Sequence, residues 1–158
     1  MITIEPYSGK FDKEIISLIL NIQNNEAGIH LSLEDQPDLK DIAGNYQAQG
    51  GEFWLAIQEG HIIGTIGLMM KKEACAVLKK FFVDSSFRSQ KIGLQLYQNL
   101  LAFAYKKNVQ HIILDTPSVA KDSHRFYERA GFRKISILEL PIDYVYPDRD
   151  SILYMLDL

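Results

Sequence analysis

Cysteine is almost absent: Cys75 is the only one in the 158-residue chain, which excludes an internal disulfide framework and a multi-cysteine metal site. No ligand cluster of another kind stands out, so no metal is expected. Long apolar runs are lacking too. The most hydrophobic stretches, 14–22 and 96–105, carry interspersed polar groups and fall short of the ~20 residues that a bilayer span needs. Nor is there an excess of one charge. With 17 Lys and Arg against 20 Asp and Glu the formal net charge is −3, which gives no general attraction to phosphate backbones, although a local basic patch could still receive one phosphorylated ligand. Neither nucleic acid nor a membrane is expected as a partner. Met1 is followed by a strand-like run, Ile2 to Ile4, without a basic start or a small-residue cleavage site, which favours the cytoplasm. Internal repeats, low-complexity tracts and linkers are likewise missing.

What is present reads as one globular domain. The chain is 47% hydrophobic and 23% charged, ordinary values for a folded protein, and its length suits a single domain of ~100–150 residues. Residues 2–6 read as a strand, and 11–22 as an amphipathic helix with Ile15, Leu18, Ile19 and Ile22 at helical spacing. The polar, glycine-bearing stretch 24–34 reads as a loop. Residues 38–49 repeat the helical pattern weakly, with Pro37 near its start and Gly50 and Gly51 ending it. Three strands follow, 53–58, 62–69 and 74–84, the first two joined by Glu59-Gly60, a dipeptide suited to a hairpin turn. Cys75 lies in an apolar alternating run and is expected to be a buried strand residue. A heavily buried helix is expected over 91–107, a strand over 110–116, a short helix over 123–130 closed by Gly131, and strands over 132–140 and 152–158. The crossover through the 91–107 helix predicts one parallel strand pair in an otherwise antiparallel meander.

One junction carries chemistry. After the third strand of the meander the chain reads Phe87-Arg88-Ser89-Gln90-Lys91-Ile92-Gly93-Leu94 and enters the long helix. The first amides of a helix lack intrahelical acceptors and the macrodipole is positive there, so a loop wrapping them forms an anion site suited to a pyrophosphate. Arg88 and Lys91 add positive charge, and Gly93 lets a phosphate approach the backbone.

The stretch 78–131 resembles the acetyl-CoA motif of the GNAT superfamily of N-acetyltransferases, whose loop runs Arg or Gln, two residues, Gly, one residue, then Gly or Ala. Arg88 and Gly93 match, while Lys91 stands where the family prefers its first glycine. If the backbone there takes a positive φ, lysine costs roughly 1 kcal/mol more than glycine. Phe126-Tyr127-Glu128-Arg129-Ala130-Gly131-Phe132 resembles the family's second signature. The resemblance implies a mixed α/β (α+β) fold: a central, mostly antiparallel sheet of about seven strands with one parallel pair, flanked by about four helices, in one domain spanning 1–158.

It also implies a function, acetyl transfer from acetyl-CoA to a primary amine by direct attack. Backbone groups around Phe81, Phe82 and Val83 would pair with the pantetheine arm as with another strand, residues 88–94 would hold the diphosphate, Ser123 would abut the cofactor, and Tyr127 would be the general acid that protonates the CoA thiolate. The family's usual glutamate base is absent, Val77 and Lys79 standing in the matching region, and Ala120 lies near the place of its asparagine. Acceptor choice would fall to segments 24–37 and 141–150. Their acidic residues, Glu26, Glu34, Asp35, Asp143, Asp148 and Asp150, point to a cationic acceptor, with Glu26, His30, Asp143 and Trp54 as candidate contacts. The resemblance leaves room for a homodimer. Two other readings stay open: a non-catalytic acyl-CoA sensor or interaction module, and an unrelated nucleotide-binding domain, which the missing Gly-Lys-Ser or Gly-Lys-Thr ending disfavours.

Overall fold

The period-two runs form strands β1 (Ile2–Pro6), β2 (Glu52–Gln58), β3 (His61–Met70), β4 (Cys75–Val83), β5 (His111–Pro117), β6 (Arg133–Ile135) and β7 (Ser151–Asp157) in the computed structural model, which describes residues 1–144 and 150–158. They make one sheet in the order β1-β2-β3-β4-β5-β7-β6. Only β4 and β5 pair in parallel, as the crossover through α3 (Ile92–Lys106) requires. The remaining helices are α1 (Asp12–Asn21), α2 (Ile42–Asn45) and α4 (Lys121–Arg129). Glu59 and Gly60 both take positive φ, 51° and 77°, the geometry of a tight hairpin turn between β2 and β3.

Alternation along the strands separates three apolar clusters. On one face Trp54, Leu68, Ala76, Leu78, Ile112 and Leu114 pack against Leu96 and Leu100 of α3 and Tyr127 of α4. On the other, Phe53, Leu55 and Ile62 are covered by Ile15 and Ile19 of α1 and by Leu39, Ile42 and Tyr46. The rest of that second face, Cys75, Val77, Ile113 and Leu153, lies under Leu140, Ile142 and Tyr144 of the late loop.

Two irregularities in β4 shape everything that follows. Pairing with β5 covers only Cys75–Val77 against His111–Ile113, although β4 continues to Val83 and β5 to Pro117; the two strands part after Val77. On its other edge, β4 pairs Lys79 with Gly67 but Phe82 with Thr65, so one extra residue is inserted. That bulge centres on Lys80, whose φ is 55° and whose carbonyl accepts a 2.7 Å hydrogen bond from the Thr65 hydroxyl. Bulges re-aim side chains and often border active sites.

Three expectations need correction. The stretch 38–49 is not one helix: Pro37–Lys40 and Gln47–Gln49 are 3₁₀ turns on either side of α2, because Asp41 leaves the helical conformation and caps α2 by accepting from the Gly44 amide. Residues 22–26, partly assigned to loop, continue α1 as a π-helical turn. The strand expected over 132–140 is only β6, since Ser136 and Glu139 form a reciprocal capping box that starts the 3₁₀ turn Ile137–Glu139.

Candidate active site

The parting of β4 from β5 leaves a slot with strand backbone on both walls. Backbone polar groups at strand edges seek partners, and an extended chain bearing amides can lie there as an added strand. Phe81 and Phe82 flank the slot with opposite duties: Phe81 packs towards α4, its ring 5.3 Å from that of Phe126, whereas Phe82 joins the cluster under α1. The Val83 carbonyl at the end of the slot accepts from Arg88 Nε at 3.1 Å.

Below the slot, Ser85–Gln90 form a 3₁₀ turn whose Asp84 side chain accepts from the Ser86 amide. Lys91 then caps α3 in the left-handed conformation, φ 59° and ψ 25°, as a strained non-glycine residue would if the loop were shaped for a ligand. Arg88, Ser89, Gln90 and Lys91 are exposed, Ile92 is buried beneath them, and Leu94 is half-exposed in the first turn. Gly93 is informative. A Cβ there would sit 3.5 Å from the Phe81 ring, an ordinary contact, so packing within the chain does not demand glycine, which costs a helix ~1 kcal/mol relative to alanine. The glycine leaves the first turn of α3 without a side chain at this point. The 15-residue α3 aims its open amides and positive dipole end at the same place.

Tyr127 of α4 is 7% exposed. Its ring lies 6.3 Å from Phe81 of β4 and 6.0 Å from Tyr154 of β7, which places it across the parted strands. Its hydroxyl makes no hydrogen bond among the described residues. Burial drives its pKa well above the ordinary phenol value, with the Asp115 carboxylate and Tyr97 adding to the rise.

Asp115 stands on β5 just beyond the paired residues, on the sheet face opposite Tyr127, where it accepts a hydrogen bond from the Tyr144 hydroxyl. On that face a cleft of about 210 Å³ is lined by Met69, Lys71, Val77, Lys79, Asp143 and Tyr144. The slot thus has a phenol on one side and a carboxylate and a polar cleft on the other.

A model of the acetyltransferase (GNAT) family matches residues 17–132. The chain belongs to the GNAT acetyltransferase family. A GNAT-family acetyltransferase from Staphylococcus aureus is 37% identical with a TM-score of 0.96 over 99% of both chains, and an acetyltransferase from Streptococcus agalactiae is 35% identical with a TM-score of 0.96 over 99% of this chain and 98% of that one. Among curated proteins, the N-acetylaspartate synthetase of Xenopus tropicalis is 32% identical over 112 residues, 70% of this chain. The chain spans only 41% of that relative's length.

Within this GNAT domain the cofactor candidates Phe81, Val83, Arg88, Ser89, Gln90, Lys91, Ile92, Gly93 and Leu94 are contiguous along the slot and the start of α3, and Ser123 lies half-buried in α4. The acceptor candidates scatter. Trp54 is a core residue and not part of the cleft: it is 5% exposed and packs edge-on against Phe103 of α3 at 5.4 Å, because the inward positions of β2 are covered by helices on both faces. His30 is exposed and does not line the cleft. Glu26 is bound by Arg88 at 2.6 Å. Only Asp143 lines the cleft. The other loop carboxylates are engaged elsewhere: Glu34 pairs with Lys40 at 3.9 Å, Asp35 accepts from Ser32, Asp150 accepts from Ser118, and Asp148 lies outside the described residues. Of the described acidic residues that pointed to a cationic acceptor, Asp143 alone reaches the cleft. His124 of α4 is 6% exposed, with Nε2 placed 2.9 Å from the Pro117 carbonyl.

Sequence reading missed Asp115, Lys79 and the buried pair Lys80–Asp38. The available signal was the charge itself: a strand centre that reads Val-Leu-Lys-Lys-Phe-Phe-Val places two lysines where apolar residues are the rule.

Proposed function

We propose that this GNAT domain transfers an acetyl group from acetyl-CoA to a primary amine by direct attack. The observation that carries the reading is the parting of β4 and β5 after three paired residues, with Tyr127 and Asp115 on opposite sides of the opening. Acetyl-CoA fits the residues present. The slot edge from Leu78 to Phe82 offers backbone groups to a pantetheine arm, and the Arg88–Gly93 turn offers amides and two cationic side chains to a diphosphate. Bound there, the cofactor supplies an activated acyl group.

The chain's own residues then handle protons. Asp115, on the cleft side, is placed to receive a proton from the acceptor ammonium, directly or through water. As the N–C bond forms and the C–S bond breaks, the thiolate leaves towards the α4 side, where Tyr127 donates its proton. A phenol raised above its ordinary pKa is a weak acid, but the same dry slot raises the affinity of the sulfur for a proton, since burial disfavours both anions. Likeness to a Bacillus subtilis acetyltransferase in complex with CoA, 20% identical with a TM-score of 0.68, supports the fold of such a cofactor site.

Calorimetry with acetyl-CoA, paired with a thiol-release assay across primary amines, tests the reading. Micromolar binding and amine-dependent thiol release are expected. Tight binding with no turnover on any amine would instead favour an acyl-CoA sensor, and absence of CoA binding would dismiss both.

A further inference from the structure

Among the described residues, two lysines, Lys71 and Lys79, line the acceptor cleft together with Asp143, and the Asp115 carboxylate stands on the same sheet face. Lys79 lies in the interior of β4, opposite Gly67 and two residues past Val77, and is half-buried. Among the described residues it makes no ion pair within 4.0 Å, in contrast with its neighbour Lys80, which is paired with Asp38 at 3.4 Å. The Asp38 charge reaches Lys79 only from beyond ion-pair distance, so the partial desolvation of this half-buried ammonium is only partly offset. Its placement becomes favourable when an anion enters the cleft. Lys71, exposed just after β3, adds a second positive charge at the rim.

We infer that the acceptor is a small amine that also carries a carboxylate, and that Lys79, assisted by Lys71, receives that carboxylate. This rests on the amine-acetyltransferase reading and names its substrate class. Lys79 holds the acceptor's acid end at the cleft wall, which leaves the amine end to reach Asp115 and the slot. Selection then works in two directions. Carboxylates are attracted, and polyamines or neutral amines are disfavoured by the two ammonium groups.

The test compares matched amines on the full chain: β-alanine, β-alaninamide and 1,3-diaminopropane, and the common α-amino acids with their α-amides. Thiol release from acetyl-CoA gives kcat/KM, and calorimetry on the CoA-loaded protein gives affinity. At least one carboxylate-bearing amine is expected to exceed its amide by about 10-fold in kcat/KM, a discrimination that a single satisfied polar contact readily supplies. Lys79→Met should erase that advantage through KM, with CoA affinity retained, and Lys79→Arg should keep it. Equal or better use of amides or diamines would overturn the inference. So would a Lys79→Met variant that binds CoA and keeps the full carboxylate preference. If no amine is turned over, the acetyltransferase reading fails, and calorimetry still decides this one: carboxylate-bearing amines must bind more tightly than their amides, and only when residue 79 is cationic.

Discussion

The ammonium of Lys80, carried on the β4 bulge, lies 3.4 Å from the carboxylate of Asp38, which also accepts a 2.6 Å hydrogen bond from Tyr46. Both ionic side chains are almost wholly buried, 11% and 12% exposed, and the pair ties the central strand to the turn that precedes α2. Burial works against the Asp38 charge, yet Lys80 and Tyr46 overcome it and hold the carboxyl below its usual range. Burial lowers the Lys80 pKa, and Asp38 offsets only part of that.

Removing one partner strands the other in a dry site. Lys80→Met and Asp38→Leu are each expected to lose ~3–5 kcal/mol in urea unfolding, and the double variant to recover most of the loss. Since the Asp38 pKa is depressed in the fold, its contribution is complete above the ordinary carboxylate value of ~3.9 and vanishes as the pH falls through the lower folded value. The advantage of the native chain over Asp38→Asn should therefore shrink below about pH 4 in the same unfolding series.

Arg88 is shared between two tasks. It bridges to Glu26 at 2.6 Å and to the Val83 carbonyl, beside the turn proposed to hold the diphosphate. A carboxylate so placed repels that anion. Glu26→Gln is expected to tighten CoA binding by about 3-fold, the scale of one partly exposed charge pair, and to steepen the salt dependence of its Kd. Calorimetry at two ionic strengths checks both.

The major elements were legible because each obeys one period. The β2–β3–β4 meander stands out as three apolar runs buried on both faces, Leu96 and Leu100 place the face of α3, and Glu59-Gly60 announces its own turn. Failures cluster where a local side-chain cap overrides the apolar pattern. Asp41 interrupts a helical stretch to cap α2, and Ser136 ends β6 early. The cofactor side of the site was readable since it is one contiguous stretch of chain. The acceptor side was not. The residues proposed for it, Lys79, Asp115 and Asp143, lie on three separate elements, and only the β4–β5 pairing and the course of the late loop bring them to one face.

Lys91 takes φ 59° at the start of α3, a conformation that costs a side-chain-bearing residue roughly 1 kcal/mol. Lys91→Gly should relieve that strain, raising stability by about 1 kcal/mol and Tm by ~2–4 °C for a domain of this size. Differential scanning calorimetry is the measurement; an unchanged or lower Tm would show that the loop carries no such strain.

Cys75 is fully buried, and burial pushes its thiol pKa up to about 11. A thiol without access or thiolate character is inert. The native protein should resist alkylation at pH 8 and react at the rate of an ordinary cysteine only in denaturant, so that thiol labelling reports global unfolding.

The hydroxyl of Tyr127 makes no hydrogen bond among the described residues, although its ring is packed by Phe81, Phe132 and Tyr154. A group that contributes to packing through its ring alone can lose its oxygen cheaply, so Tyr127→Phe should shift stability by less than ~0.5 kcal/mol and leave the CoA Kd unchanged. Turnover should respond differently. Without a donor at the departing sulfur, kcat is expected to fall by ~10²-fold, the lower end for general-acid catalysis. Because burial raises the phenol pKa well above its ordinary value, the native kcat should show no decline from tyrosine ionisation at pH 9 to 10, where an ordinary phenol of pKa ~10 would begin to lose its proton. A kcat profile that falls in this range only when Tyr127 is present would mean that the phenol is solvated, and an unchanged kcat in Tyr127→Phe would remove it from the acid role.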